Sequence, residues 1–311
     1  VTASSAWRCP ACDATAAAPR FARGAPATGS VDAESFVPSS DRFGSTVGAL
    51  LRCLRCGHAS LAERPEQEVF EGAYLDAADE TSLREEEGQV ATASRDLARL
   101  ERVVAPGRLL DIGSWTGSLL VAAARRGWTA DGLEPSAWAS SRAAERGCDV
   151  RQAVLDDVTL ADGSYRAVVA ADVIEHLVDP ASALATIAAA LEDGGGLLLT
   201  VPDAGSSVAR VLGRRWWSVL PMHVQYFTRA SMTALLERTG FVVDEIATHA
   251  KAFSWEYYAE RLEAFLPVGG RVAPAMIRRL GLTDRVVAPD FRDRMIVVAR
   301  KAGDQSTSGE P

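Results

Sequence analysis

Apolar and polar positions along the chain change period repeatedly, and each change marks an element. RLLDIG (108–113) reads as a strand, and SLLVAAARRG (118–127) as a helix closed by Gly127. TADGLEP (129–135) predicts a short strand, SAWASSRAAERG (136–147) a helix and CDVRQAV (148–154) a strand. RAVVAADV (166–173) is an apolar run, as expected of a strand buried on both faces. PASALATIAAALEDGGG (180–196) predicts a helix ended by glycines, and LLLTVP (197–202) another strand. TRASMTALLERTG (228–240) predicts a helix with Thr228 as N-cap and Gly240 as its stop. FVVDEIA (241–247) and DRMIVVARKA (293–302) are late strands. Alternation of this kind predicts an α/β fold, a mostly parallel seven-stranded sheet with helices on both faces.

Residues 63–105 are polar and acidic, but Leu97, Leu100, Val103 and Val104 recur at helical spacing before Pro106-Gly107 stops the pattern. They are expected to form a helical linker covering the ligand edge. Two segments interrupt the alternation, 204–222 (with GRRWWSVLP) and 248–292 (with SWEYYAERLEAFLPVGG and VAPAMIRRLGL). The second is expected to be a cap over the substrate or a homodimer surface. The tail, 302–311, is expected to be disordered.

The chain has 311 residues, 48% of them hydrophobic, and a net charge of −8. That length supports a sizeable core. An acidic chain repels polyanions, so neither nucleic acid nor a membrane surface is an expected partner. The start lacks a basic, then apolar, leader, and no apolar run approaches the roughly 18 residues of a membrane span. A cytoplasmic setting with reduced thiols is therefore expected.

Four of the five cysteines are paired, Cys9 with Cys12 in CPAC and Cys53 with Cys56 in CLRCGH. Two such knuckles supply four thiolates to one tetrahedral ion, which predicts a small zinc ribbon over 1–62 with a structural role. Disulfides and a redox pair are the alternatives. Four thiolates fill the shell, leaving His58 as an alternative ligand only. Cys148 stands alone and reads as a small buried hydrophobe.

LLDIGSWTGSLL (109–120) carries the sharpest signal. In a sheet of this kind a ligand sits at the carboxyl ends of the strands, beside the turn after the first one. Gly113 and Gly117 let the backbone approach a ligand there, although a plain strand–helix turn also wants small residues. Glu134 ends the next strand, placed to accept hydrogen bonds from ribose hydroxyls. The spacing is not the Gly-x-Gly-x-x-Gly of dinucleotide sites.

Asp111-Ile112-Gly113-Ser114-Trp115-Thr116-Gly117 resembles the first motif of class I S-adenosylmethionine-dependent methyltransferases, and Glu134 matches their ribose-binding acid. AVLDDVTLADGSYRAVVAADVIEHLVDP, GGGLLLTVPD and HVQYFTRASMTALLERTGF resemble further segments of the ubiquinone-type branch, in the same order. The resemblance covers about residues 70–300 and implies a Rossmann-like methyltransferase domain over 106–301, S-adenosylmethionine as cofactor and a small-molecule acceptor. An N-terminal double Cys-x-x-Cys module also occurs in relatives acting on sugars and natural products. Two positions depart from the family's habit: Trp115 stands where glycine is frequent, and Arg166 where aspartate is.

Carried onto this sequence, the resemblance implies cofactor contacts from Asp111, Gly113, Trp115, Gly117, Glu134, Asp156 (near adenine), Asp172 and Tyr74 (closing from the linker). Methyl transfer to a hydroxyl needs a base, for which histidine suits. His223 lies where sugar C-methyltransferases keep a Glu-His pair, but Met222 replaces the acid. His176, with Asp172 and Glu175, resembles a segment that ubiquinone-pathway enzymes use around a metal. Trp216, Trp217 and Tyr226 are candidate substrate contacts. The leading expectation is methylation of a hydroxyl on a sugar or natural product. C-methylation of a nucleotide-linked keto-deoxysugar, RNA base methylation and a non-catalytic cofactor-binding scaffold are the alternatives.

Overall fold

The structure is a computed structural model and describes residues 7–21, 31–37, 42–63, 65–265 and 272–303. Most of the expected disordered tail, 304–311, lies outside the described residues.

The chain opens with three antiparallel strands, β1 (Ala17–Pro19), β2 (Leu50–Cys53) and β3 (Ala59–Leu61). The linker holds two helices, α1 (Gln67–Leu75) and α2 (Glu86–Leu100). Helix α2 begins well before the apolar positions that announced it, and it buries Ala93, Leu97 and Leu100. Next come β4 (Arg108–Ile112), α3 (Ser118–Arg125), β5 (Thr129–Leu133), α4 (Ala137–Glu145) and β6 (Asp149–Arg151). They are followed by β7 (Tyr165–Ala171), α5 (Pro180–Ala190), β8 (Leu191–Pro202) and α6 (Ser207–Leu212). The chain continues through β9 (Gln225–Tyr226), α7 (Arg229–Arg238), β10 (Phe241–Thr248), β11 (Phe253–Ser254) and α8 (Trp255–Phe265). It closes with α9 (Val272–Arg279), β12 (Val286–Val287) and β13 (Arg294–Lys301).

The main sheet has seven strands in the order β10-β13-β8-β7-β4-β5-β6. All pairs are parallel except those of β13, which runs antiparallel to both neighbours. This is the expected Rossmann-like architecture. Period-2 alternation splits its core. Leu110, Val168, Leu197, Leu199 and Val297 pack on one face with α5 and α7 residues. Leu109, Val169, Leu198 and Ile296 pack on the other with Leu97 and Leu100 of α2. Strand β7 is buried on both faces, as its unbroken apolar run predicts. Thr228 caps α7, accepting from Ser231 N at 3.1 Å.

Two boundaries differ from expectation. Helix α5 ends at Ala190, and Gly194–Gly196 belong to β8, not to a helix stop. A Cβ at Gly196 would stand 2.8 Å from Leu100 and Val104, so α2 lies directly on this end of the strand. The ribbon is also not confined to 1–62: β9 adds to β3 as the fourth strand of its sheet, pairing Ala59 with Tyr226 and Ser60 with Gln225.

Candidate active site

Strand order reverses between β4 and β7, and a crevice opens at their carboxyl ends. There a cavity of about 550 Å³ extends under the 248–292 insert. Asp111, Gly113, Trp115, Asp172, Tyr74, His176, His223 and Trp217 all line it, so most of the predicted residues converge.

The turn after β4 explains its own glycines. Gly113 has φ +73°, and a Cβ on it would meet Val173 at 2.6 Å. Gly117 has φ +80°, and its Cβ would meet Cys148 Sγ at 2.8 Å and Ala143 at 3.1 Å. Gly117 is absent from the cavity wall, and its missing side chain serves the packing of α3 against α4. Cys148, expected as a small buried hydrophobe, is only half-buried, with its Sγ against the Gly117 turn. Trp115 adopts φ +47°, a costly region for a bulky side chain. Its indole donates to Ser82 Oγ at 3.0 Å and lies against Trp138 (centroids 5.5 Å apart) and Tyr74 (6.5 Å). Trp115 therefore walls the cavity and ties the linker down.

Glu134 is fully buried beneath this wall and does not line the cavity. Its oxygens accept from Trp115 N and Ser136 N, both at 2.8 Å, and from Tyr74 O–H at 3.4 Å. Burial raises its pKa to about 7. Tyr74 and Trp115 thus cover the expected ribose acid. Asp156 is exposed and also lies outside the cavity wall.

Asp111 is buried, with Oδ2 unpartnered. Burial, then the nearby Glu134, raises its pKa to about 8. Unpartnered atoms also point from Thr116, Thr200 and Glu175 on the same wall. Asp172 has φ +59° and pairs with both Lys251 and Arg294. Buried unsatisfied groups are costly, and together they form a polar lining suited to a cationic, hydrogen-bonding ligand at Asp111. The unpartnered Oδ2 of Asp111 on the cavity wall fits the ammonium of S-adenosylmethionine.

His176 and His223 lie with ring centroids 4.9 Å apart. His176 Nδ1 is 3.1 Å from Met222 O, and His223 Nδ1 is 2.7 Å from Ser218 O. A carbonyl only accepts, so both Nδ1 atoms carry the proton and both Nε2 atoms present lone pairs. Burial lowers the pKa of His176 to about 4; burial and then His176 lower that of His223 to about 3. Glu175, raised to about 8 by burial, completes a cluster whose ligand-type atoms lie within 4.8 Å of one another.

On the substrate side Trp217, Phe253, Tyr257, Tyr258 and Phe291 form an aromatic wall. Trp216 does not reach it, being fully buried beneath α6 and the ribbon. Tyr226 is also a correction: pairing of β9 with β3 turns it into the same buried cluster, outside the cavity. Sequence reading missed Lys251, Arg294, Asp293 and the insert's aromatic residues. Only the scarcity of lysine (Lys251 and Lys301) flagged one of them.

The four ribbon cysteines are free, and their Sγ atoms lie within 4.8 Å of one another. Cys9–Cys56 and Cys12–Cys53 are each 3.6 Å apart. Zn–S bonds of about 2.3 Å in a tetrahedron set sulfur separations of about 3.8 Å, so the tetrad is compatible with zinc. His58 stays outside it, with Nε2 2.9 Å from Gln225 Oε1.

A family model described as a methyltransferase domain matches residues 84–246. No curated protein matches the chain. Among solved structures, the cyclase SpnF is similar at 19% identity, covering 68% of this chain and 81% of that one, with a TM-score of 0.47. Geranyl diphosphate methyltransferase in complex with GPP and sinefungin matches at 16% identity, over 68% and 77%, with a TM-score of 0.45. An S-adenosylmethionine-dependent methyltransferase from Mesorhizobium loti matches at 20% identity, over 68% and 100%, also at 0.45.

Proposed function

The chain belongs to the methyltransferase-domain family, and from that premise we propose that it methylates a hydroxyl of a ring-bearing small molecule, a sugar or natural product, with S-adenosylmethionine. The observation that carries this reading is one cavity holding Asp111, with its Oδ2 unpartnered, and two imidazoles with free Nε2 lone pairs.

The cofactor supplies an electrophilic methyl on a sulfonium. Asp111, whose Oδ2 is unpartnered, would hold its ammonium, beside the turn that Gly113 makes at φ +73°. Trp115 and Tyr74 cover that end and exclude water. Across the cavity the aromatic wall stacks a ring-shaped acceptor and orients its hydroxyl toward the methyl. His223 or His176 takes the hydroxyl proton at Nε2, both being neutral at pH 7. The Cys9, Cys12, Cys53 and Cys56 tetrad would hold a structural zinc ion.

A second reading has its own support. Glu175 Oε2 is unpartnered, and one ligand-type atom each of Glu175, His176 and His223 lie within 4.8 Å of one another, a donor set that also suits a divalent cation orienting the hydroxyl.

The test is a panel of hydroxylated ring compounds, assayed by S-adenosylhomocysteine release. Turnover that His223→Ala or His176→Ala lowers by about 100-fold or more supports the base assignment. Turnover that both variants retain, with or without chelator, removes it.

A further inference from the structure

The ribbon's second knuckle reaches the catalytic loop through one side chain. Cys53 N donates to His58 O at 2.7 Å, so the Cys53–His58 turn closes on itself around the tetrad. His58 is fully buried, and its Nε2 meets Gln225 Oε1 at 2.9 Å. At its other end the Gln225 amide donates to Leu177 O at 3.0 Å and Val178 O at 3.3 Å. Carbonyls only accept, which fixes the amide orientation and places the proton on His58 Nε2. The backbone repeats the grip: Val224 N and Gln225 N both donate to Glu175 O at 3.0 Å. Thr228 Oγ1 donates to Cys56 O at 2.9 Å, a second bond from the knuckle to the same segment.

Residues 175–178 carry Glu175 and His176. They have no sheet of their own and are held from β9, which in turn is held by β3 and the knuckle. We propose that Gln225 is a positioning residue, through which the metal-binding knuckle sets the register of the loop bearing Glu175 and His176. This rests on the reading of that loop as catalytic. It makes the ribbon the back wall of the active site and not a detached staple. Packing alone asks for a buried apolar residue at 225. Instead the chain buries an amide there with both ends used, an arrangement with a defined geometry and a high cost of error.

The experiment uses full-length, zinc-loaded protein and three forms of it. Gln225→Glu keeps an acceptor for His58 but sets an oxygen against the Leu177 and Val178 carbonyls. His58→Phe breaks the bond from the ribbon side and leaves all four cysteines. Chelator-treated wild type removes the metal. Zinc content, amide hydrogen exchange and ¹⁵N signals of the four histidine side chains are read for each. The proposal expects both variants to retain zinc while exchange across 175–178 and 222–226 rises about tenfold or more. It expects the His176 imidazole signals to shift, with those of His249 unmoved because its partner Asp96 sits on α2. Chelation should reproduce that pattern. Loop exchange and His176 signals equal to wild type in both variants would overturn it, as would acceleration spread evenly over β7 and β8. None of these readouts needs methyl transfer. Failure to bind S-adenosylmethionine would overturn the functional reading alone.

Discussion

Trp217 donates its indole N–H to Asp293 Oδ2 at 2.7 Å, and Trp216 donates to the same oxygen at 3.0 Å. One carboxylate at the start of β13 thus orients a wall residue and a core residue that are adjacent in sequence. Asp293→Ala leaves two indole donors without this partner. Thermal unfolding should show a loss of about 1–3 kcal/mol. Affinity for S-adenosylmethionine should hold, because Asp111 is untouched. Equal stability of variant and wild type would remove Asp293 as the anchor.

Cofactor binding should release a proton. Free Asp111 titrates at about 8 because it is buried, and Glu134 adds to the shift. A bound ammonium favours the carboxylate, so the complex has a lower pKa and affinity rises with pH up to about 8. Calorimetry at pH 7 in buffers of different ionisation enthalpy should give heats that vary with buffer. Flat affinity from pH 6.5 to about 9 with buffer-independent heats would contradict this linkage.

Acid should weaken the fold through the imidazole pair. Burial lowers the folded pKa values of His176 and His223 to about 4 and about 3, from the ordinary imidazole value of about 6.5. Below pH 6.5 the unfolded chain binds more protons. Their contribution is therefore complete above 6.5 and is lost as pH falls toward 4 and then 3. The limiting slope is about 1.4 kcal/mol per pH unit for each group. Urea unfolding at pH 6.5, 5.5 and 4.5 should show a shallower decline in the His176→Asn/His223→Asn double variant, whose cysteines are the same as wild type. Parallel declines would contradict it.

Gly117→Ala should destabilise by more than about 1 kcal/mol, since alanine resists φ +80° and its Cβ meets Cys148. Adding Cys148→Ala should recover part of that loss in chemical denaturation. Full tolerance of Gly117→Ala would show that the turn relaxes freely.

The parallel body was legible because its strands are buried on both faces and its helices carry caps. β7 and the Thr228 cap of α7 are the clearest cases. The error at α5 has a simple origin. Three successive glycines resemble a helix stop, yet here they belong to β8, and Gly196 among them admits Leu100 of α2 onto the strand. Gly113 was legible because the turn after β4 requires its positive φ, whereas Asp111, a strand residue just before it, was reached only through the family resemblance. Tyr226 was misplaced because a two-strand contact far apart in sequence, β3 with β9, decides which way it faces, and Trp216 because its buried cluster and its bond to Asp293 join segments distant in the chain. Lys251, Arg294 and Asp293 were illegible for the same reason: their partners Asp172 and Trp217 lie on other elements. Glu134 was found as a strand-end acid, but its cover by Tyr74 and Trp115 could not be read from spacing.

The central claim is that the Asp111–Gly113 end of the cavity holds S-adenosylmethionine. Calorimetric titration of zinc-loaded wild type against Asp111→Ala tests it most directly. The account predicts saturable binding by the wild type, weakened in the variant by about 1–3 kcal/mol, the scale of a lost charge-assisted hydrogen bond. No binding by the wild type, or equal affinity in both proteins, would contradict it.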